Sequence, residues 1–274
     1  MPNADATNPD PAGGETAPLA PGSLTGRTAL VTGSSRGIGA ATVQLLAAAG
    51  ADVVVNYRAK APRAEKVAAA AAEAHGVQAL VVQADLTDPA SVASMFEAAR
   101  ERFGGLDILV MNASGGMESG MGEDYAMRLN RDAQVGLLEA ALPVLRDGAR
   151  VVFVTSHQAH FIRTTPTMPE YEPVARSKRA GEDALRERIP SLAERGIELV
   201  VVSGDMIEGT ITATLLERAN PGAIASRREE AGRLYDVDEF AREVALAAVE
   251  PVPADSTRLV GDVSGFGEAE GVRG

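Results

Sequence analysis

The stretch Ala29-Leu-Val-Thr-Gly-Ser-Ser-Arg-Gly-Ile-Gly39 decides how the rest of this 274-residue chain reads. A short apolar, β-branched run enters a glycine turn that opens directly into the amphipathic run from Ala40 to Ala49. Strand, glycines, then helix is the context a dinucleotide-binding fingerprint requires. Gly33 and Gly37 can adopt backbone angles barred to other residues, and Gly39 leaves no side chain between helix and sheet. Bare amides at a positive helix N-terminus can then receive a pyrophosphate. An ordinary βα turn is the competing reading of the same residues. The segments downstream of Gly39 weigh against it.

From about Arg27 onward, strand-like and helix-like segments alternate. Strands are expected over 27–32, 52–57, 77–83, 106–111, 149–155, 197–203 and 257–261. Helices are expected over 37–49, 61–75, 88–103, 122–145, 174–195, 210–219 and 236–249. Regular alternation with Val- and Leu-rich strands implies an α/β fold: a doubly wound parallel sheet of about seven strands, Rossmann-type, with helices on both faces. Such a sheet binds its ligand at the carboxyl ends of the strands. Asp88-Pro89 reads as a helix cap with proline in the first turn, and Gly50 and Gly76 stand where helices end. The Ala-rich run from Val67 to Ala74 reads as a helix face lying close to the sheet. No internal repeat or interdomain linker is visible.

Composition narrows the partners. The chain has no cysteine, which excludes disulfides and thiolate metal sites and fits a reducing compartment. No apolar run approaches the ~20 residues needed to span a bilayer, so no membrane partner is expected. The N-terminus, rich in Pro, Ala, Asp and Gly, carries neither a basic nor an apolar leader region. Residues 1–24 are expected to form a disordered tail, residues 25–274 one domain, and the location is expected to be cytoplasmic. A net charge of −12 argues against nucleic acid, because neutralising phosphates needs basic surface. An anionic cofactor needs only a local site.

About 20 residues after the first glycine of such a turn, an acidic residue normally holds a ribose 2′-hydroxyl. Here the second strand ends in Asn56-Tyr57-Arg58, with no Asp or Glu from Val53 through Ala64. Arg58 and Arg36 can pair bidentately with a 2′-phosphate, so NADP(H) is expected over NAD(H). Solvated surface arginines are the plainer alternative. Asp85, at the end of the third strand, is placed to accept from an adenine amino group or to cap the turn Leu86-Thr87; both readings stay open.

These residues resemble the short-chain dehydrogenase/reductase superfamily over nearly the whole of 25–263. Thr32-Gly-Ser-Ser-Arg-Gly-Ile-Gly39 matches the family's glycine turn at every fixed position. Ala84-Asp85-Leu86 resembles its adenine-contacting segment, and Met111-Asn-Ala-Ser114 its Asn-Asn-Ala-Gly strand end. Leu129-Asn130 is similar to the asparagine that orders a water in the family's proton relay. Val151 to Ser156 is similar to the strand that ends in the catalytic serine. Ser203-Gly204 with Thr210 resembles the loop bordering the nicotinamide, with its proline lost. The resemblance therefore places Gly33, Ser35, Arg36, Gly37, Ile38, Gly39, Asp85, Leu86, Asn112, Ala113, Lys178 and Thr210 against the cofactor, and the end of the second strand adds Asn56 and Arg58. It also implies a homodimer or homotetramer. No metal is expected, since the pair His157 and His160 comes without a nearby carboxylate pattern.

Family chemistry is hydride transfer at a carbonyl carbon, with a tyrosine as proton donor, a lysine that lowers its pKa, and a serine that positions the carbonyl. Ser156 and Lys178 match. Lys178 is one of three lysines against 23 arginines, and a solvated charge is its plain alternative. Tyrosine and lysine normally stand four apart on one helix, but four residues before Lys178 stands Val174. Tyr171 is seven before it, about 10 Å of rise along a continuous helix. Pro173 is expected to start a helix and push Glu172 into an extended conformation, leaving Tyr171 on the preceding loop to fold back over the helix start. Tyr171 as catalytic acid is weighed against Tyr171 as a packed lid residue. His157 and His160 are alternative donors or packing residues.

The expected reaction is NADPH-dependent reduction of a ketone. A short, Gly- and Met-rich segment from Gly115 to Gly122 implies an open cleft and a bulky or polycyclic metabolite. Met117, Met121, Met168 and Met206 are candidates for its apolar lining. Two alternatives account for the altered tyrosine spacing: an isomerase or dehydratase using bound nicotinamide, and a non-catalytic NADP(H)-binding sensor.

Overall fold

The computed structural model describes residues 19–117 and 124–266. Seven strands form one sheet: β1 (Thr28–Val31), β2 (Asp52–Tyr57), β3 (Ala79–Gln83), β4 (Leu106–Met111), β5 (Leu145–Ser156), β6 (Glu198–Gly204) and β7 (Thr257–Val260). Their spatial order is β3-β2-β1-β4-β5-β6-β7, and every neighbouring pair is parallel. The order reverses between β1 and β4, where Leu30 stands between Val54 and Leu109. A crevice opens at such a switch point, beyond the strand ends.

Successive strand residues point to opposite faces, and both faces are covered. Val31, Val53, Val55, Val110, Val152 and Val202 pack against α1 (Gly37–Ala48), α2 (Ala61–His75) and α11 (Val237–Ala247). Leu30, Val54, Leu109, Val151 and Val201 pack on the opposite side, beneath α3 (Pro89–Phe103) and α5 (Ala133–Ala141). Local signals behave as expected. Asp88 caps α3 by accepting from the Ala90 amide at 3.1 Å, Gly76 ends α2 at φ 70°, and Ala64, Ala68 and Ala71 are the buried face of the Ala-rich helix. Of the expected tail, residues 1–18 lie outside the described residues. Leu24 is buried, with its amide on the Ala49 carbonyl at 2.7 Å.

The second half departs from expectation in four places. The helix expected over 122–145 is a short turn, α4 (Tyr125–Met127), a π turn (Arg128–Asp132) and α5; residues 118–123 lie outside the described residues. The π turn is held by tertiary contacts, since the Asn130 side chain bonds both Gly115 and Ser177. The helix expected over 174–195 breaks into α7 (Glu172–Arg186) and α8 (Ile189–Ala193). Pro190, which has no N–H to donate, sits in the first turn of α8 and forces the break. The turn α6 (His157–His160) and the helix α10 (Ala223–Ala231), after α9 (Ile211–Ala219), were not expected.

Helix α7 lies so close to the π turn that a Cβ on Gly181 would collide with the Asn130 carbonyl. On α5, a Cβ on Gly136 would meet nothing within 4 Å. The same substitution should therefore act oppositely at the two sites. In urea unfolding, Gly181→Ala should cost about 1–3 kcal/mol, and Gly136→Ala should stabilise by about 0.5–1 kcal/mol.

Candidate active site

The glycine turn is built by hydrogen bonds between strand ends. Gly33 and Gly37 take φ of 62° and 57°. The Gly33 amide donates to Asn56 Oδ1 at 3.0 Å, and the Ser34 amide to the Asn56 carbonyl at 2.9 Å, so β2 holds the turn. On the other side, Thr32 Oγ1 accepts from the amides of Asn112 and Ala113 at 3.0 and 3.1 Å. A Cβ on Gly39 would stand 2.6 Å from Asn112 Nδ2 and 2.9 Å from the Gly33 carbonyl; only glycine lets α1 dock there. No side chain caps the start of α1, so its first amides stay available to an anion.

Two cavities meet at this point. A wide cleft of about 680 Å³ runs from Arg58, Lys60, Arg63 and Asp85 along the glycine turn to Ala113, Tyr171 and Thr210. An inner pocket of about 130 Å³ continues to Ser156, Gln158 and Lys178, walled by Val154, Met206, Leu216 and Phe240. Every residue expected against the cofactor lines one or other of them, with Lys178 in the inner pocket.

The donor set suits a phosphorylated dinucleotide. Lys60 and Arg63, which sequence reasoning passed over, join Arg36 and Arg58 along the cleft. Their signal was legible: basic residues just beyond Arg58, at the start of α2. Arg58 also bonds the Tyr125 hydroxyl across the cleft, a contact no local pattern announces. Asp85 accepts from the amide and hydroxyl of Thr87 at 2.9 and 2.7 Å, which is the turn-capping role, while still lining the cleft. Burial pushes its carboxyl up, but the Thr87 bonds and the Arg58 charge outweigh this and hold it below the usual range. Thr210 caps α9, accepting from the Ala213 amide at 3.2 Å.

Ser156 ends β5, and its Oγ lies 3.2 Å from the Tyr171 hydroxyl. The expected route to that contact needs correction. Glu172 is not extended; it is the first residue of α7, and Tyr171 is the N-cap at φ −99°, ψ −16°. The first helical amides need no intrahelical acceptor, so Pro173 fits inside the first turn without breaking it. Val174, at the usual tyrosine position, faces the wide cleft near Gly116. Tyr171 is 3 % exposed, and burial pushes its pKa up against the smaller opposing effect of the Ser156 bond. Lys178 is buried too, and desolvation brings it down to about 8 although the Glu182 charge opposes that.

Other expected residues stand back from the cavities. Asn130 lines neither: its Nδ2 donates to the Gly115 carbonyl at 2.8 Å and to Ser177 Oγ at 2.9 Å, tying the loop after β4 to α7. His157 and His160 line neither cavity. His157 Nδ1 meets Ser203 Oγ at 2.8 Å, with its ring edge-on to Phe161 and Phe266. His160 Nδ1 meets Glu182 at 2.8 Å. Of the methionines, Met206 and Met117 line the cavities, Met168 lies near Asn220, and Met121 falls outside the described residues. Asp205, also on the inner pocket, is paired at 3.0 Å with Arg227 of α10, which fastens that helix to the sheet. No helix among the described residues is long and apolar enough to cross a membrane.

The family model for short chain dehydrogenases matches residues 27–220, the span that carries the glycine turn, Ser156, Tyr171 and Lys178. The chain belongs to the short-chain dehydrogenase family. As a short-chain dehydrogenase it is 35 % identical over 203 residues to the short chain dehydrogenase/reductase nsrJ of Aspergillus novofumigatus, covering 72 % of this chain and 74 % of that one. It is 30 % identical over 243 residues to versicolorin reductase 1 of Dothistroma septosporum, covering 86 % and 88 %. Among solved structures, the landomycin C-6 ketoreductase LanV with bound NADP and rabelomycin superposes with a TM-score of 0.70 at 31 % identity, over 88 % of this chain and 96 % of that one. The fold is thus that of an oxidoreductase family whose solved members include NADP complexes.

Burial pushes His157 down to about 4. Its ordinary value in the unfolded chain is about 6.5. The folded protein therefore holds fewer protons, and the stabilisation present above the unfolded value is lost as pH falls from about 6.5 toward 4. Urea unfolding at a series of pH values should lose about 2–3 kcal/mol from this group by pH ~4.5, and His157→Gln should flatten that part of the profile.

Proposed function

We propose that this short-chain dehydrogenase reduces a ring ketone with NADPH, using Tyr171 as the proton donor in place of a tyrosine four residues before Lys178. The observation that carries the reading is the 3.2 Å approach of Tyr171 OH to Ser156 Oγ on the wall of the inner pocket. NADPH, when bound, supplies the hydride. Ser156 and Tyr171 hydrogen-bond the carbonyl oxygen, and as that oxygen gains charge the Tyr171 hydroxyl transfers its proton to it. Burial keeps Tyr171 protonated at neutral pH, so it enters the reaction as a donor. The Lys178 ammonium stabilises the phenolate left behind, and solvent returns the proton. Carbonyl, hydride and proton become the alcohol.

The Ser156–Tyr171 contact weighs against the isomerase and sensor readings, whose motive was a misplaced acid. For the cofactor, the reading rests on four basic residues along the cleft and the absence of a carboxylate at the end of β2. For the substrate, it rests on the width of the cleft and on relatives named for versicolorin and landomycin chemistry. A polyketide-type, fused-ring ketone suits both.

Nicotinamide absorbance followed with a panel of tetralones, naphthoquinones and anthraquinones should show NADPH oxidation, and small aliphatic ketones should be poor substrates. Turnover confined to the aliphatic ketones would sink the substrate class. Tyr171→Phe should lower kcat by about 10²–10⁴-fold with NADPH affinity retained; unchanged kcat would remove Tyr171 from the mechanism. Arg58→Ala should weaken NADPH binding by about 10–100-fold, the worth of a charge-assisted bond, and leave NADH binding nearly unchanged in calorimetry.

A further inference from the structure

Among the residues of α6, Gln158 alone lines a cavity described above: the inner pocket, with Ser156, Tyr171 and Lys178. The turn that carries it is pinned on both sides. His157 Nδ1 meets Ser203 Oγ at 2.8 Å, and His160 Nδ1 meets Glu182 of α7 at 2.8 Å. Arg179 of α7 donates to the His160 carbonyl at 2.7 Å, and Ala159 is fully buried. Those residues hold the turn, and Gln158 is left to the pocket. Its side chain is half-buried, and its amide has no hydrogen-bond partner among the described residues.

The pocket's other polar side chains are engaged or placed elsewhere. Asn112 Nδ2 donates to the Thr32 carbonyl at 2.9 Å, Asp205 is paired with Arg227, and Thr210 Oγ1 donates to the Ile207 carbonyl at 2.8 Å. Thr155 Oγ1 has no partner but is fully enclosed. Ser114 and Thr212 line both cavities, at the seam between them.

An amide in that place is informative. Val154, Met206, Leu216 and Phe240 wall the pocket, and an apolar side chain at position 158 would extend them. While the pocket is open, water can satisfy the amide. Once a ring fills it that water leaves, and a polar group left unmatched suffers its full desolvation penalty. A bare hydrocarbon edge would strand the amide, whereas a substrate oxygen would not. Because Ser156, Tyr171 and Gln158 share a pocket of only about 130 Å³, that oxygen lies close to the carbonyl being reduced.

We propose that Gln158 is a specificity-determining residue: its amide N–H groups donate to a hydroxyl oxygen β to the reacting ketone, so that hydroxylated ring ketones are selected over bare ones. This rests on the reading of Ser156 and Tyr171 as the partners of the carbonyl. A hydroxyl peri to a ring ketone has the required placement. Its own proton lies on the ketone oxygen, and its lone pairs stay free to accept from the amide, which carries two N–H donors. No bond is made or broken at Gln158. The chain of hydrogen bonds orients the ring and polarises the carbonyl.

Two ketones test this: a tetralone with a hydroxyl peri to its ketone, and the same tetralone without it. Their kcat/KM values in wild type and in Gln158→Met give a selectivity ratio. Methionine keeps the length of the side chain and removes its donors and acceptor. The ratio in favour of the hydroxylated ketone should fall about tenfold in Gln158→Met, the worth of one neutral hydrogen bond. Differences in intrinsic reactivity cancel between the two proteins. Loosened packing, or a Gln158 that serves the nicotinamide carboxamide instead, would lower both ketones alike, and an unmoved ratio overturns the proposal. Gln158→Ala should show the same fall, and its unmoved ratio overturns the proposal equally should Gln158→Met not fold. Calorimetry with the NADP⁺-loaded protein reads the ratio in dissociation constants and needs no turnover. A failed proposal is thus an unmoved ratio in an enzyme that reduces both ketones. A failed functional reading is a ratio that falls in binding while neither ketone oxidises NADPH. Wild type that binds neither ketone overturns both.

Discussion

Helix α1 can reach the sheet only because position 39 has no Cβ. With the Asn112 amide 2.6 Å from where that atom would stand, any other residue would push the helix off the ends of β1 and β4. The hydrogen bonds from Asn112 and Ala113 to Thr32 would then lengthen, and the crevice at the strand-order reversal would lose its floor. The same approach aims the uncapped start of α1 into the wide cleft. The wide cleft, the inner pocket and the placing of the strand-end serine therefore depend on one close contact. They share the carboxyl edge of a single parallel sheet.

The inner pocket illustrates how few polar groups a buried site needs. Ser156, Tyr171 and Lys178 stand among apolar walls, and low polarity pushes the phenol up and the amine down. An amine brought near neutral pH can exchange protons readily, but it steadies a phenolate only while it stays charged. Asp205 is answered by Arg227, and Glu182 by Arg186 and His160, so neither carboxylate is buried without a partner. The Arg227–Asp205 pair also joins α10 to the end of β6, and the His160–Glu182 pair joins α6 to α7.

Legibility in the sequence followed the range of the determining interaction. β1, β2 and β4 were readable because Val and Leu runs report burial on both faces, and α2 and α3 because Gly76 and Asp88-Pro89 act within one turn of themselves. The glycine turn, Asn56, Arg58 and Asp85 were likewise readable, being set by position along a strand and the turn after it. The π turn was not: Asn130 is held by Gly115 and Ser177, fifteen and 47 residues away in the chain. Helix α10 was missed because its run Ser226-Arg-Arg-Glu-Glu230 is polar, and what fastens it is the Arg227–Asp205 pair.

By itself, the order of residues determined a doubly wound parallel sheet, a glycine turn open to an anion, and a serine and a lysine at its edge. Those are products of side-chain period and of backbone angles that only glycine tolerates, and both act over a few residues. Tertiary structure alone decided that Tyr171, seven residues before Lys178, meets Ser156 from a helix N-cap. The reason is physical. Spacing along a helix measures rise and rotation, whereas the meeting of two hydroxyls depends on how that helix is set against the strand carrying the other, which distant contacts such as that of Gly181 on Asn130 impose.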